Sequence, residues 1–323
     1  MINYDFPIDL VYLWCDINDN AWNDKRLKYL SHGNLLDQQA INDCRFINND
    51  ELKYSLRSVA QYASWINHIY IVSDHQTPNW LNTNNQKITM INHEDILPVN
   101  NLPLFNSEAI ETALHKIPNL SEHFLYSNDD SFFGDNVYPW DFFNYKGQAI
   151  VRLLNNPKKN KIEKSQYSQH IDYMQQLAKK TLGRMFYHQP HHNIDAYLKS
   201  EFKNCVAYYD DLVLSTSQQR FRQDPAFQRS IIAYWMISSK KGVQKNIKKW
   251  KSKLLNKIPF LSVIIKQDSV CCNISSIKGL KRLRNIKPKM FCLNDCEKAT
   301  QNDRESAKSF MKELFPYKSE FEL

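Results

Sequence analysis

Phe124-Leu125-Tyr126-Ser127-Asn128-Asp129-Asp130 is the stretch from which the fold is read. Its first four residues have the apolar and aromatic character of a short buried strand, and three polar residues follow at once. The same signature occurs earlier. Ile8 to Trp14, Ile-Asp-Leu-Val-Tyr-Leu-Trp, reads as a buried strand broken by Asp9, and Asp16, Asn18, Asp19 and Asn20 form the loop after it. His68 to Ser73 and Lys87 to Ile91 supply two further strands. Between them, Asn49 or Asp50 can cap a helix from Glu51 with Leu52, Leu56 and Val59 on one face. Ser107 is a cap for a helix through Ile117, striped by Ala109, Ile110, Ala113, Leu114 and Ile117. Strand, helix, strand in repetition predicts an α/β fold, a mainly parallel sheet flanked by helices. Ligands on such sheets gather at the carboxyl ends of the strands. The acidic clusters after Trp14 and after Ser127 fall there.

The later half is less regular and more helical. Helices are predicted over Tyr167–Leu182, Pro225–Ser238 and Asp303–Phe315, and a strand edge over Phe291–Asp295. From Lys240 to Lys289 there are fifteen Lys and Arg against one acid, Asp268, although the whole chain carries only +8. The body is therefore acidic and the charge is concentrated. The expected organisation is a core over 1–239, a lysine-rich insertion or subdomain over 240–289, and a segment over 290–323 that returns to the core.

Composition excludes several classes. With 323 residues, 42% hydrophobic and 24% charged, the chain is globular. Only 6 glycines are present, with no GxGxxG, P-loop, serine-elbow or kinase pattern. No apolar run reaches the ~18–20 residues of a membrane span. Met1 to Asp9 lacks the basic start of a signal peptide. The 7 cysteines are odd in number and sparse, which fits a reducing compartment. Cys271-Cys272 with Cys292 and Cys296 lack the spacing of a strong four-cysteine zinc site. The basic segment suits an anionic membrane face, a polyanionic substrate or nucleic acid, but no nucleic-acid motif accompanies it.

Asn128-Asp129-Asp130 is the sharpest local cue, because paired carboxylates after a strand can hold a divalent cation on a diphosphate. Glu111 lies four residues before His115, as a catalytic carboxylate or one half of a helical pair. His188, His191 and His192 cluster around Pro190, and a histidine suits general-base work. Arg222 can clamp phosphate oxygens or form a salt bridge. Asn294-Asp295 is a further possible metal ligand.

Four blocks together resemble the Stealth family of sugar-phosphate transferases. They are Ile8–Asp16; Arg45-Phe46 through Glu51–Ser58, Trp65–Val72, His93–Ile96, Leu102–Glu111 and Leu120–Asp130; His188-Gln189-Pro190 with Arg220-Phe221-Arg222; and Cys292–Asp295. Ile17 stands where the family usually has glycine, and Cys296 where it usually has a further acid. The resemblance implies a glycosyltransferase type A-like fold. It also implies a capsular or exopolysaccharide phosphotransferase moving hexose 1-phosphate from a UDP-N-acetylhexosamine to a glycan or lipid-linked glycan hydroxyl, with release of UMP. An ordinary glycosyltransferase releasing UDP is the alternative. By the same resemblance Glu111, Asp130, His188 and Arg222 are catalytic. Asp16, Arg57, Asn106, Asn128 and Asp129 are assigned to substrate binding. Mg²⁺ or Mn²⁺ is expected on Asp130, Asp295 and Asn294. The base is either Glu111 or His188. The location implied is the bacterial cytoplasm, with peripheral contact to the inner membrane face.

Overall fold

Strand β1, Ile8–Leu13, is buried along nearly its whole length and lies at the middle of the main sheet. The computed structural model describes residues 4–30, 38–155, 166–247 and 267–323. On one side β1 pairs in parallel with β2, Ile69–Ser73, and β2 with β3, Ile88–Asn92. On the other side it pairs in parallel with β4, His123–Asn128. Leu10 stands opposite both Ile69 and Leu125. Continuous apolar strands are what a parallel sheet covered on both faces requires. Asp9 does not break β1. Its carboxylate is buried but satisfied, accepting from Asn67 Nδ2 at 2.8 Å and from the Ser121 amide at 2.7 Å.

Four further strands extend this plan before the C-terminal region: β5, Ser131–Phe133; β6, Ala149–Asn155; β7, His188–Pro190; and β8, Asp195–Leu198. The last three strands are β9, Gly242–Ile247; β10, Ser269–Asn273; and β11, Met290–Asn294. β8 closes the main sheet antiparallel to β4, giving the order β3-β2-β1-β4-β8. Among the described residues, two three-stranded sheets, β7-β6-β9 and β10-β11-β5, accompany the main sheet. The chain leaves β1 toward β2 on one side and later places β4 on the other. The carboxyl ends of β1 and β4 therefore flank a topological switch point, where such sheets open a crevice.

Local details depart from the sequence reading. The helix Glu51–Tyr62 starts behind Asp50, whose side chain makes no capping bond. Glu51 itself accepts from the Asn49 amide at 2.5 Å and its Nδ2 at 2.7 Å. Asn106, not Ser107, caps the next helix, which spans only Ser107–Glu111 before a tighter turn at Leu114–Lys116. Glu111 and His115 therefore share no continuous helical face, and the His115 ring stacks on Phe202 instead.

β11 is a central strand, not an edge, lying between β10 and β5. Phe291 is stacked on Phe132 at 5.0 Å between centroids and packs with Phe310 and Phe315 in a second core. That burial, worth roughly 2–3 kcal/mol per large apolar side chain, holds β11 in place. The described flanks of the lysine-rich segment are woven into the body through β9 against β6 and β10 against β11. Asp268 receives both Arg152 Nε at 3.1 Å and Lys245 Nζ at 2.9 Å. Within the lysine-rich segment the sequence carries a short apolar run, residues 258–265, which lies outside the described residues. Among the described residues, no helix is long and apolar enough to cross a membrane.

Candidate active site

A cleft of about 1040 Å³ opens at the carboxyl ends of β1 and β4. β4 delivers Asn128, Asp129 and Asp130 into it. The Asp130 carbonyl accepts from the Leu293 amide at 2.9 Å, which registers β11 against this turn. Cys292 Sγ consequently donates to Asp130 Oδ2 at 3.3 Å. Burial pushes the Asp130 carboxyl up to about 6, despite the hydrogen bonds from Cys292 and Ser131. Asp129 is raised well above its ordinary range by burial, then by the neighbouring Glu51 and Asp130. Glu51 also lines the cleft and is raised to about 7, chiefly by burial. Crowded acids with raised pKa values gain from a nearby cation. The carboxylates of Asp129 and Asp130 therefore fit the hard, oxygen-seeking Mg²⁺, which takes one or two carboxylates and completes its shell with phosphate and water oxygens.

Glu111 is buried at the end of its short helix and lines the same cleft. The Tyr126 hydroxyl lies 2.9 Å from Glu111 Oε1 and 3.0 Å from Asn128 Oδ1, and its single proton serves one of them at a time. Burial raises the Glu111 carboxyl, while Arg229 opposes the rise. Arg229 sits between acids: its Nη1 is 3.8 Å from Glu111 Oε1 and its Nε 3.5 Å from Asp195 Oδ2. Its guanidinium lies 4.8 Å over the Tyr126 ring. Arg222 enters from a separate segment, where the Phe105 amide donates to the Arg220 carbonyl at 2.8 Å and Phe221 stacks on Phe105. Its Nη2 donates to Ser107 Oγ at 2.6 Å. Asn106 braces both sides, accepting from the Glu108 amide at 3.1 Å and donating to the Gln219 carbonyl at 3.2 Å.

Glu111, Asp130, Arg222, Asn106, Asn128, Asp129, Asn294 and Asp295 thus all line one cleft. Asp295 is gripped by Arg304, Nε to Oδ2 at 2.8 Å and Nη2 to Oδ1 at 3.2 Å. Three other residues lie elsewhere. His188 is not among the described residues lining the cleft, whereas Gln189, His191 and His192 are. Strand β7 is extended, so the side chains of His188 and Gln189 point to opposite faces. Because this segment is extended, the four-residue spacing of His188 and His192 does not place them on one helical face. Asp16 organises the loop after β1, accepting from the Asn18 amide at 2.9 Å and Asn48 Nδ2 at 2.8 Å. Arg57 binds Glu322 through two 2.8 Å contacts and the Phe315 carbonyl at 2.9 Å, so it pins the C-terminal tail rather than facing the cleft.

Sequence reasoning missed Arg229, Asp195, Tyr126 and Glu51 as site residues. The readable signal for Arg229 was its place just before Ser230–Ser238, an almost wholly buried helix. A charge beside such a helix needs partners.

Residues 45–151 match the family model described as Stealth protein CR2, conserved region 2. An exopolysaccharide phosphotransferase of Streptomyces coelicolor is 36% identical over 252 residues, covering 75% of this chain and 42% of that relative. A capsular polysaccharide phosphotransferase, LcbA of Neisseria meningitidis, is 29% identical over 299 residues, covering 90% of this chain and 78% of that relative. The chain spans only 42% or 43% of the length of three of these curated relatives, the first among them. Among solved structures, the galactosyltransferase LgtC bound to donor and acceptor sugar analogues aligns over 95% of both chains, with a TM-score of 0.44 and 10% identity.

Proposed function

We propose that this chain, which carries Stealth conserved region 2, is a capsular or exopolysaccharide phosphotransferase that moves hexose 1-phosphate from a UDP-sugar to a glycan hydroxyl. One observation carries the reading: Asp129 and Asp130, Glu111, and the guanidinium groups of Arg222 and Arg229 converge on a single cleft at the switch point. Carboxylates for a cation and arginines for phosphoryl oxygens are what phosphoryl transfer needs, because catalysis there is positioning plus charge stabilisation.

In this mechanism the acceptor oxygen forms a bond to the sugar-linked phosphorus, the bond from that phosphorus to the bridging oxygen of UMP breaks, and UMP leaves. Glu111 takes the acceptor proton. Its place in the cleft and its raised pKa support it over His188 as the base. Arg222 faces the phosphoryl oxygens, while Arg229 holds Glu111 in place and favours its ionised form. Asp130, with Asp129, Asn294 and Asp295 at the same mouth, would hold Mg²⁺ or Mn²⁺, which supplies neutralisation of the diphosphate charge when bound.

The test is the nucleotide released from a panel of UDP-N-acetylhexosamines with a glycan acceptor and Mg²⁺. Acceptor-dependent UMP with phosphorus retained in the product supports the proposal. Acceptor-dependent UDP replaces it with glycosyl transfer. The lysine-rich 240–289 segment would place the enzyme on the anionic inner membrane face, where lipid-linked acceptors lie. Co-sedimentation with anionic vesicles that is no greater than with neutral ones would refute that placement.

A further inference from the structure

We propose that Asp130, His192 and Cys292 form a binding site for a thiophilic divalent transition metal of the Zn²⁺ class. The ligand atoms of these three side chains all lie within 4.8 Å of one another. They come from three separate elements, the turn after β4, the loop after β7 and the middle of β11, and the tertiary fold alone brings them together. In a tetrahedral zinc site, donor atoms bonded at about 2.0–2.3 Å stand roughly 3.5 Å apart. The 3.3 Å between Asp130 Oδ2 and Cys292 Sγ already has that spacing.

The donor set discriminates between metals. One oxygen, one imidazole nitrogen and one sulfur suit Zn²⁺, Co²⁺ or Fe²⁺, while Mg²⁺ selects oxygen ligands. A neutral imidazole at His192 supplies a ring nitrogen lone pair as the donor. Arg229 Nη2 is 3.4 Å from His192 Nδ1, long for a hydrogen bond. In this structure the Cys292 thiol donates its proton to Asp130 Oδ2. Binding transfers that proton to solvent and leaves a thiolate on the metal. One thiolate and one carboxylate then balance the divalent charge. The fourth position stays open to water or another oxygen ligand.

The site stands on this donor geometry and not on the proposed reaction. It also has a consequence for that reaction. A thiophilic metal and Mg²⁺ compete for Asp130.

The experiment titrates the full chain, kept reduced with a phosphine, with Co²⁺ as the spectroscopic probe. The expected result is one equivalent bound, with a thiolate-to-cobalt charge-transfer band that Zn²⁺ abolishes and excess Mg²⁺ does not. Cys292→Ser removes the band, His192→Ala weakens binding at least tenfold, and Cys271→Ser retains the band. Circular dichroism confirms that each variant is folded. No charge-transfer band in the parent, or a band that survives in folded C292S, overturns the proposal. A band lost in C271S but kept in C292S overturns it as well. Nucleotide release is not read in this assay, so its outcome is separate from that of the UMP test.

Discussion

Arg57→Met should destabilise the protein without touching its chemistry. Arg57 holds Glu322 through Nε and Nη2, each at 2.8 Å, and holds the Phe315 carbonyl through Nη1 at 2.9 Å. The two side chains are only 12% and 3% exposed. Removing one partner of a buried ion pair costs about 3–5 kcal/mol, because the other charge is left desolvated. Lys53 Nζ, 3.9 Å from Glu322, recovers part of this, and a loss of about 2–3 kcal/mol remains. With a slope of about 3 kcal/mol/M, the urea midpoint should fall by roughly 0.7–1 M. Glu322→Gln in the R57M background should recover part of the loss, since no buried charge then remains unpaired. Burial alone would raise the Glu322 carboxyl, but Arg57 outweighs it and holds it below the usual range. The pair's contribution is thus present above the unfolded carboxylate pKa and is lost as pH falls through the lower folded value. R57M should be missing this acid-side dependence. The assays are urea unfolding and kcat/KM for UMP release. A tenfold or greater loss of kcat/KM with an unchanged urea midpoint would refute the reasoning and return Arg57 to the substrate site.

Three other outcomes are expected. Arg229→Gln removes the charge that favours ionised Glu111, so the acid limb of the pH–rate profile should move to higher pH; an unmoved limb separates Arg229 from Glu111. Asp130→Asn should lower UMP release roughly a thousandfold, and in the parent the rate should rise with pH through about 6 as Asp130 ionises, at lower pH when Mg²⁺ is increased. His170 contacts Glu108 at 2.9 Å and also Asp224; burial lowers its pKa, but the two acids outweigh it and leave it raised. Its contribution is fully present below the unfolded histidine pKa and is lost as pH rises through the higher folded value, so His170→Asn should flatten the urea midpoint over that window.

The sequence by itself determined the architecture of the first half. Apolar runs ending in acidic turns, separated by capped amphipathic stretches, are local signals with a fixed period, and they located β1, β2, β3, β4 and the helix Glu51–Tyr62 within a residue or two. They also placed Asp129 and Asp130 at a strand's carboxyl end, where the cleft opens. The family blocks added Glu111, Arg222, Asn294 and Asp295, which the structure gathers around that cleft. Side-chain direction and long-range pairing were decided only by the tertiary structure. His188 differs from Gln189 by one position, and in an extended strand one position reverses the face. Arg57 had the look of a substrate arginine until the chain's last residues returned to bind it, 265 positions away. Cys292 reaches Asp130 because β11 takes a central place against β5 and β10, and burial of Phe291 and Leu293 on its other face drives that docking. Arg229 acquired Glu111, Asp195 and Tyr126 as neighbours by the same means. A buried charge must find partners, and the packed core, not the spacing of residues along the chain, decides which ones are within reach.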